Sequence, residues 1–268
     1  MRFSGQTVWI TGASSGIGEA LALAFAAEGA RLVLSSRRRE ELERVRRACA
    51  RPDDHLVVPL DLVRIDSFPA VVADVLTRCN AIDVLVNNAG VSQRGLALET
   101  SAEVERALME VNYFAPVALA KAVLPAMRAR RRGTVVVVSS VMGYLGTPGR
   151  STYAAAKHAL HGYFDSLRAE IWRDQLRVLL ACPGYVRTAV AQNALGPGGE
   201  RNARADSASR RGIAAERCAA AILRGVASGR EEIHVGGREV YGIYLQRFFP
   251  RLLARVVRKM KFAVTPSP

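Results

Sequence analysis

The sequence predicts a single α/β domain, built on a parallel sheet of about seven strands with helices on both faces. Short β-branched or apolar runs alternate with amphipathic helical stretches, an arrangement typical of parallel sheets. Residues 135–138 are four consecutive valines, as expected of a central strand that is covered on both sides. With 268 residues, half of them hydrophobic, the chain is long enough to bury such a core.

The predicted elements follow in order along the chain. Strands are expected at residues 7–10, 31–35, 55–59, 83–87, 134–139, 177–181 and 231–235. Helices are expected at residues 18–27, 40–49, 68–79, 102–111, 114–129, 152–172 and 214–227. Residues 1–240 form the predicted domain, and residues 241–268 form a basic amphipathic extension.

One loop, at about residues 189–212, is rich in Gly, Ala, Ser and Arg. Loops at the carboxyl ends of parallel strands usually cover the ligand crevice. We therefore interpret this loop as a lid over a substrate, with an ordinary surface loop as the alternative.

The net charge of +14 restricts the kinds of partner. It indicates nucleic acid, an anionic membrane surface or an anionic cofactor, unless it reflects only arginine-rich solvated faces. The arginine runs at residues 37–39 and 130–132 lie at element ends, and aromatic residues make up only 6% of the chain. No base-reading motif is present, so we expect no nucleic-acid partner.

The four cysteines are Cys49, Cys79, Cys182 and Cys218, and no two of them form a C-x-x-C pair. We expect reduced packing residues and no metal site. No signal-like segment opens the chain, and no run of eighteen uncharged apolar residues occurs. The expected location is therefore cytoplasmic, with no spanning helix.

A glycine-rich turn joins the first predicted strand to the first predicted helix, with the spacing Gly12-x-x-x-Gly16-x-Gly18. Glycines at such a turn let the backbone approach a pyrophosphate, and the helix N-terminus adds partial positive charge. The spacing differs from G-x-G-x-x-G, so the strand before it and the helix after it support the prediction of a nucleotide site.

The second strand ends at Ser35 and is followed by Ser36, Arg37 and Arg38. An acidic side chain at this point would bond the ribose hydroxyls of NAD and repel a 2′-phosphate. The serines are not acidic, and Arg37 offers a planar fork for a phosphate. The sequence therefore favours NADP(H) over NAD(H), unless the arginines only begin a solvated helix.

Four polar residues predict proton transfer. Ser140 lies thirteen residues before Tyr153, Lys157 lies four residues after it, and Asn112 lies upstream. Tyrosine has a reference pKa of about 10, and a lysine four residues later shares its helix face. A serine hydroxyl beside the phenol can hold an alcohol or carbonyl oxygen. With a nucleotide site in the chain, hydride transfer is the expected other half of the reaction.

These motifs together resemble the short-chain dehydrogenase/reductase family, which has a Rossmann-like doubly wound fold. The matching residues are TGASSGIG at 11–18, Asp61, NNAG at 87–90, Asn112, Ser140, Tyr153, Lys157, CPG at 182–184 and Thr188. The match extends to about Gly237. Arg94-Gly95, NYF at 112–114, YAAAKH at 153–158 and LRAE at 167–170 are similar to the dehydrogenase/reductase member 7 and 7B group.

The resemblance implies roles for the catalytic set. Tyr153 would be the general acid in reduction, and Ser140 would orient the substrate carbonyl. Lys157 would bind the nicotinamide ribose and lower the phenol pKa, and Asn112 would hold a water in a relay to Lys157. The family usually forms homodimers or homotetramers through helices that here include residues 152–172.

The resemblance also implies a cofactor-binding set. Asp61 would bond the adenine, residues 88–90 would line the adenosine ribose, and residues 183–188 would contact the nicotinamide end. The full implied set is Gly12, Ser14, Ser15, Gly16, Ile17, Gly18, Ser36, Arg37, Arg38, Asp61, Leu62, Asn88, Ala89, Gly90, Tyr153, Lys157, Pro183, Gly184, Val186 and Thr188.

Several of these residues also have a purely structural interpretation. Asp61 can cap a turn, Asn87 and Asn88 can bond backbone groups at a strand end, and Asn112 can simply kink a helix.

Two further choices depend on position. Ser139 competes with Ser140 as the active hydroxyl, and only the spacing to Tyr153 separates them. His158 and His161 are expected on other faces of the helix than Tyr153, as surface or interface residues.

The candidate substrate pocket is Val141, Met142, Tyr144, Leu145, Tyr185 and Val190. These side chains are mostly apolar, which predicts a small lipophilic ketone, aldehyde or alcohol as the substrate. The alternative is that some of them only pack in the core.

The extension carries no acid after Glu239, and Pro250 interrupts it. Its basic residues are Arg247, Arg251, Arg255, Arg258, Lys259 and Lys261. Its apolar face is Tyr244, Leu245, Phe248, Phe249, Leu252, Leu253, Val256, Val257 and Met260. The pattern predicts an interfacial helix in peripheral contact with a membrane; the alternative is a helix that closes the pocket or packs on a partner subunit.

The sequence thus predicts an NADPH-dependent oxidoreductase that interconverts a carbonyl and an alcohol. The alternative is a catalytically silent nucleotide-sensing or scaffold protein on the same fold. The intact catalytic set argues against that alternative.

Overall fold

The computed structural model describes residues 1–190, 193–201 and 211–259. Its parallel sheet has the strand order β3-β2-β1-β4-β5-β6-β7. The strands are β1 Thr7–Thr11, β2 Arg31–Ser35, β3 Leu56–Val57, β4 Val84–Asn87, β5 Gly133–Val138, β6 Leu176–Pro183 and β7 Glu232–Val235. The chain order reverses between β1 and β4, which is where open α/β sheets bind ligands.

Helices cover both faces of the sheet, which confirms the predicted fold class. Among the described residues they are α1 Gly16–Ala27, α2 Arg39–Ala48, α3 Phe68–Cys79, α4 Ala102–Met109, α5 Ala115–Ala129, α6 Ser151–Ile171, α7 Ala215–Ala227, α8 Tyr241–Phe248 and α9 Pro250–Lys259. One core cluster packs α1, α2 and α7 against the sheet. A second packs α3, α5 and α6 against the opposite face.

The valine run of β5 fits between these two layers. Val136 and Val138 join the first cluster, and Val135 and Val137 join the second. Because successive strand residues point to opposite faces, a strand between two helix layers needs an apolar residue at every position.

The third strand is shorter than predicted. It covers Leu56–Val57 rather than residues 55–59. Among the described strands it pairs with β2 at the edge of the sheet, and the Val58 and Leu60 N–H groups continue to donate to the Leu34 and Ser36 carbonyls at 3.0 Å. The other strands and helices differ from their predicted bounds by at most two residues at either end.

The two helices predicted at residues 102–111 and 114–129 form one continuous helical stretch. A π-helical segment, Glu110–Phe114, joins α4 to α5. Pro116 has no N–H to donate to the Asn112 carbonyl, which relaxes the regular ladder at this point. Within the same segment, the Asn112 side chain donates a hydrogen bond to the Leu108 carbonyl at 3.0 Å.

This stretch, Ala102–Ala129, is long and apolar enough to cross a membrane by length and composition. Its residues Leu119, Val123 and Met127 are buried against the sheet. The same packing is expected of the core helix of an α/β domain, so the apolar composition has a structural explanation.

Candidate active site

Ser140 begins the turn after β5 and faces Tyr153. Its side chain is buried, and its Oγ accepts the Met142 N–H at 3.1 Å. The Ser140 hydroxyl also lies 3.4 Å from the Pro183 carbonyl oxygen. Burial raises the pKa of Tyr153, and a side-chain hydrogen bond with Ser140 opposes this shift. The two hydroxyls that the sequence pairs by spacing are therefore in contact.

Ser139 has a different environment from Ser140. Its Oγ is buried and lies 2.9 Å from His161 Nε2. Ser139 therefore packs behind the site, while Ser140 opens toward Tyr153. Of the two serines, Ser140 is the one whose hydroxyl meets Tyr153.

The prediction for His161 is wrong. His158 is exposed, but His161 is 9% exposed and points into the protein. Residue 161 lies four positions after Lys157, so the two share the helix face that packs on the sheet. Burial lowers the pKa of His161 to about 4.

Lys157 lies beneath the ring of Tyr153. Its ammonium is buried, donates to the Val138 carbonyl at 2.9 Å and lies 5.7 Å from the Tyr153 ring centre. Burial lowers the pKa of Lys157 to about 8. This position places one cation at the end of β5, within reach of a polyhydroxylated ligand.

Two cations flank the ring of Tyr153. Burial raises the pKa of Tyr153, while the Arg150 charge and the Ser140 hydrogen bond lower it. The Arg150 guanidinium lies 5.8 Å from the ring centre and donates to Ser92 Oγ at 3.0 Å. Arg150 is thus a charge beside the phenol that the sequence reasoning missed, in addition to Lys157 at 5.7 Å.

Gln93 is a second residue that the sequence reasoning missed. It is fully buried, and its Oε1 accepts the backbone N–H groups of Thr152 and Tyr153 at 3.1 and 3.3 Å. It thereby caps the first turn of α6, which carries the catalytic pair. No local sequence pattern indicates a cap sixty residues away.

Asn112 faces Lys157 across a small gap. Its Oδ1 accepts the Val91 N–H at 3.2 Å, and its Nδ2 donates to the Val91 carbonyl at 3.0 Å. A Cβ built on Gly90 would lie 2.7 Å from Asn112 Oδ1 and 3.8 Å from Lys157 Nζ. The absence of a side chain at Gly90 therefore leaves this gap open.

The glycine turn after β1 is compact. Gly16 has a φ of +60°, and a Cβ there would lie 3.0 Å from Thr188 Cγ2; a Cβ on Gly18 would lie 2.2 Å from the Gly12 carbonyl oxygen. Ser15 precedes α1 in an extended conformation without a side-chain capping bond. The first N–H groups of α1, including that of Ile17, are thus available to an anion.

Arg38 and Arg44 contact this turn, and Arg44 Nη2 donates to the Ser14 carbonyl at 3.3 Å. Arg38 Nη2 donates to Ser14 Oγ at 3.3 Å, and the Arg38 N–H bonds Ser36 Oγ at 3.2 Å. Arg37 is exposed, and within the described part of the chain its guanidinium forms no hydrogen bond or ion pair. Ser35 is buried and bonds Trp9 and the Val58 carbonyl, so it serves the fold rather than a ligand.

At the predicted adenine side of the site, hydrogen bonds between side chains and backbone groups fix the local structure. The Asn88 side chain donates to the Thr11 carbonyl at 2.9 Å, and the N–H groups of Asn88 and Ala89 donate to Thr11 Oγ1. Asp61 Oδ1 accepts the Val63 N–H at 3.3 Å. Leu62 packs on the second core cluster. Asp61 therefore caps a turn and Asn88 bonds backbone at a strand end, as their structural interpretations predict. These contacts do not conflict with the roles in cofactor binding that the resemblance implies.

Asn87 also has the structural role that its position allows. Its side chain is buried and donates to the Pro116 carbonyl at 3.3 Å.

The predicted nicotinamide end lies where β6 leaves the sheet. Pro183 ends β6, the Gly184 N–H donates to Val235 at 2.8 Å, and Val186 bridges to Ile213. Thr188 reaches back to the glycine turn at Gly16. These residues lie along the same carboxyl edge as Ser140.

Most of the candidate pocket residues belong to a third core cluster. Val141, Met142 and Leu145 are buried there with Ala154, Ile243 and Leu253, and Tyr144 and Tyr153 pack against them. Tyr185 is partly buried and its N–H bonds Glu239, whereas Val190 is 47% exposed. Ile243 of α8 and Leu253 of α9 therefore pack on the candidate pocket residues, as the alternative interpretation of the extension as a packed helix predicts.

The extension has a second, exposed face. The exposed apolar residues of α8, α9 and the break between them are Tyr241, Tyr244, Phe248, Phe249, Leu252 and Val256. Lys261 and Met260 lie outside the described residues. One side of the extension packs on the candidate pocket residues, and the other side presents apolar and basic residues to the surroundings.

Part of the predicted lid is described by the structure. Leu195 accepts the Arg94 N–H at 2.8 Å and donates to Ser92 at 2.9 Å. Residues 191–192 and 202–210 lie outside the described residues. The described part of the loop thus rests against the segment that leads from Gly90 to Gln93.

The fold and the site define a class of protein, a nucleotide-dependent oxidoreductase of the α/β type with a Ser–Tyr–Lys set. The short chain dehydrogenase family matches residues 6–196, and the chain belongs to this family.

Known relatives agree with this assignment. The chain is 44% identical over 236 residues to a "Dehydrogenase/reductase SDR family protein 7-like" protein of Anopheles gambiae, covering 86% of this chain and 74% of that protein. A short-chain dehydrogenase from Streptomyces avermitilis has a TM-score of 0.82 at 32% identity, covering 97% of this chain and 100% of the other. A metagenomic short-chain oxidoreductase in complex with NADP has a TM-score of 0.72 at 31% identity, covering 88% and 98%.

Proposed function

We propose that this protein is an NADPH-dependent oxidoreductase that interconverts a carbonyl and an alcohol on a lipophilic small molecule. The contact between the Ser140 and Tyr153 hydroxyls beside an apolar wall is the observation that carries the proposal. Two hydroxyls at one point can hold a substrate oxygen and exchange a proton with it. The apolar wall favours a lipophilic body on that substrate.

The chain offers a fitting place for a nicotinamide dinucleotide. The gap at Gly90, the open N-terminus of α1 and the glycine turn lie along the carboxyl edge of the sheet. When bound, the nicotinamide supplies or accepts a hydride. Lys157 would bind the ribose hydroxyls, and Asn112 would hold a water that links Lys157 to solvent.

The residues have distinct tasks in reduction. Ser140 donates a hydrogen bond to the substrate oxygen and orients it. Tyr153 donates the proton as negative charge develops on that oxygen. Arg150 and Lys157 stabilise the tyrosinate that remains, because their cationic groups lie 5.8 and 5.7 Å from the ring centre. The reverse steps serve alcohol oxidation.

The preference for NADPH is supported by Arg37 and Arg38 after β2. The Arg38 side chain reaches Ser14 in the glycine turn, and Arg37 precedes it with an exposed side chain. Guanidinium groups bind phosphates in a bidentate manner, and no acid stands at residues 35–38. The NADP in the metagenomic relative is consistent with this proposal.

The test is a fluorescence titration of the purified protein with NADPH and with NADH, followed by NADPH assays on a panel of lipophilic aldehydes and ketones. We expect tighter binding of NADPH and turnover with part of the panel. Tighter binding of NADH would overturn the cofactor assignment. Binding of neither nucleotide would favour the silent scaffold.

The extension suggests that the protein works in the cytoplasm at a membrane surface. Arg251, Arg255 and Arg258 accompany the exposed apolar residues of α9, a combination that suits anionic lipid. Such contact would bring the pocket close to a source of lipophilic substrate.

A homodimer or homotetramer is part of the same proposal. A hollow of about 550 Å³ is lined by residues of α4, of the π-helical segment and of the start of α6. Phe114 is 45% exposed at this surface. An apolar side chain beside an open hollow is suited to packing against a second copy.

A further inference from the structure

Three side chains with metal-ligating atoms meet behind the catalytic serine turn. His161 comes from α6, Cys182 from β6 and Glu232 from the first position of β7. Their ligand atoms all lie within 4.8 Å of one another. The register of β6 and β7 pairs Leu180 with Glu232 and Cys182 with His234. Paired residues on neighbouring strands lie on the same face of the sheet, and so do residues two apart on one strand. Cys182 and Glu232 therefore lie on the same face, which is the face that α6 covers.

The distances fit a tetrahedral cation. Cys182 Sγ lies 3.7 Å from His161 Nε2 and 3.7 Å from a Glu232 Oε1. Zinc binds thiolate sulfur at about 2.3 Å and nitrogen or oxygen at about 2.0–2.2 Å, so tetrahedral angles place sulfur about 3.6 Å from either atom. The described side chains therefore need little movement to take a cation at their centre.

The surroundings resemble the outer shell of a metal site. His234 Nε2 lies 2.7 Å from Glu232 Oε1, and the Tyr144 hydroxyl donates to the same oxygen. Such second contacts fix the orientation of ligating groups. Ser139 Oγ, now 2.9 Å from His161 Nε2, can turn to the Lys157 carbonyl at 3.5 Å. Glu232 is exposed, which gives a cation an entry path.

We propose that His161, Cys182 and Glu232 form a three-ligand site for a divalent cation of the Zn²⁺ type, with the fourth position open to water. One thiolate, one imidazole and one carboxylate make a donor set that such cations prefer. On binding, the Cys182 S–H bond breaks, the S–Zn bond forms and the proton goes to solvent. The cation would tie α6, β6 and β7 together beside Ser139.

The two buried ligands differ in what a cation must displace. Burial lowers the pKa of His161 to about 4, so its imidazole is neutral and has a lone pair to offer. Burial raises the pKa of Cys182 to about 12, so a cation must displace the thiol proton in order to bind. The four cysteines have no C-x-x-C spacing, and this grouping arises only when three distant segments fold together.

The test uses the chelator-treated full chain and Co²⁺ as the probe. We expect a near-ultraviolet charge-transfer band from a cobalt–thiolate bond, which saturates at one equivalent of Co²⁺ per chain. Added Zn²⁺ should displace the cobalt and remove the band. Cys182→Ser should abolish this band. Cys218→Ser is the matched control, because Cys218 is equally buried but belongs to the other core cluster, and it should retain the band.

A second variant covers the case in which Cys182→Ser does not fold. Glu232 is exposed, so Glu232→Gln should fold, which far-ultraviolet circular dichroism checks, and should bind Co²⁺ at least about tenfold more weakly. We also expect Zn²⁺ at a hundredfold excess over its Kd to raise the thermal midpoint by roughly 5 °C. A wild-type protein with no cobalt band and no Zn²⁺-dependent shift would mean that these side chains form only a hydrogen-bonded network, and the proposal would fail. A band that persists in folded Cys182→Ser would also overturn it.

Discussion

The backbone of Gly90 stands against the side chain of Asn112 without room for a methyl group. A Cβ on Gly90 would lie 2.7 Å from Asn112 Oδ1 and 3.8 Å from Lys157 Nζ. The residue is neither in a turn with positive φ nor in a strand, so the close approach of these two polar side chains is the reason for glycine here.

The first prediction concerns this gap. Gly90→Ala should weaken nucleotide binding at least about tenfold, because the methyl group occupies space between Asn112 and Lys157. The measurement is a fluorescence titration with NADPH. Gly162→Ala is the control, because an added Cβ there meets nothing within 4 Å. The Kd of this variant for NADPH should stay within roughly twofold of the wild-type value. Unchanged binding in Gly90→Ala would remove the gap from the proposed cofactor site.

The second prediction concerns cofactor choice. Arg37→Ala should weaken NADPH binding roughly tenfold or more and leave NADH binding nearly unchanged, because only NADPH carries the 2′-phosphate. The measurement is paired titration with both nucleotides. Arg39→Ala is the control, as its guanidinium lies 3.9 Å from Glu43 within α2. An equal loss for both nucleotides would assign Arg37 a role other than phosphate binding.

The third prediction concerns the charge beside the phenol. Removing the Arg150 guanidinium should raise the pKa of Tyr153, because this charge now lowers it. In Arg150→Ala, the limb of the pH–rate profile that reports Tyr153 should move to higher pH in the alcohol-oxidation direction. Arg150→Lys keeps a positive charge and should recover part of the shift. A profile that does not move in Arg150→Ala would contradict the electrostatic role.

The fourth prediction concerns stability and pH. Burial lowers the pKa of Lys157 from its ordinary value of 10.5 to about 8. Between these values the unfolded chain binds the proton and the folded chain does not, so this group's contribution to stability rises with pH. Below pH 8 the ammonium costs roughly 3 kcal/mol of unfolding free energy, partly offset by its bond to Val138.

The corresponding measurement compares the wild type with Lys157→Met in denaturant unfolding at several pH values. The stability of the wild type relative to the variant should improve from pH 8 toward pH 10.5. A difference that stays constant over this window would show that Lys157 titrates normally.

The fifth prediction separates the two faces of the extension. Phe249→Asp changes an exposed residue and should weaken binding to liposomes that contain anionic phospholipid, with little effect on turnover of a water-soluble carbonyl. Leu253→Ala removes side-chain atoms that pack on the candidate pocket residues. This variant should instead raise the KM for a lipophilic carbonyl substrate. If Phe249→Asp binds such liposomes as the wild type does, the exposed face serves a protein partner.

The sheet was predictable because its signals are local. The valine run of β5 and the glycine turn after β1 each specify their own conformation, and their order along the chain specifies a parallel sheet. The resemblance to the short-chain dehydrogenases supplied Tyr153, Lys157 and Ser140. The structure brings these side chains together and adds the reason that Ser139 is excluded, its contact with His161.

Other features depend on contacts between distant residues. Gln93 caps α6 from another loop, and Ile243 and Leu253 reach the pocket from the C-terminal helices. The orientation of His161 was mistaken even though its spacing from Lys157 contains the answer, because the side of α6 that faces the sheet was not identified. The grouping of Cys182 with His161 and Glu232 requires the register of β6 and β7, which composition does not reveal.

The most direct test of the central claim is NADPH oxidation by the wild type and by Tyr153→Phe with a carbonyl substrate found in the panel. The account predicts that Tyr153→Phe loses on the order of a thousandfold in kcat while its Kd for NADPH is unchanged. Tyr163→Phe, on the same helix, should retain full activity. Turnover by Tyr153→Phe close to that of the wild type would contradict the assignment of Tyr153 as the proton donor, and with it the proposed mechanism.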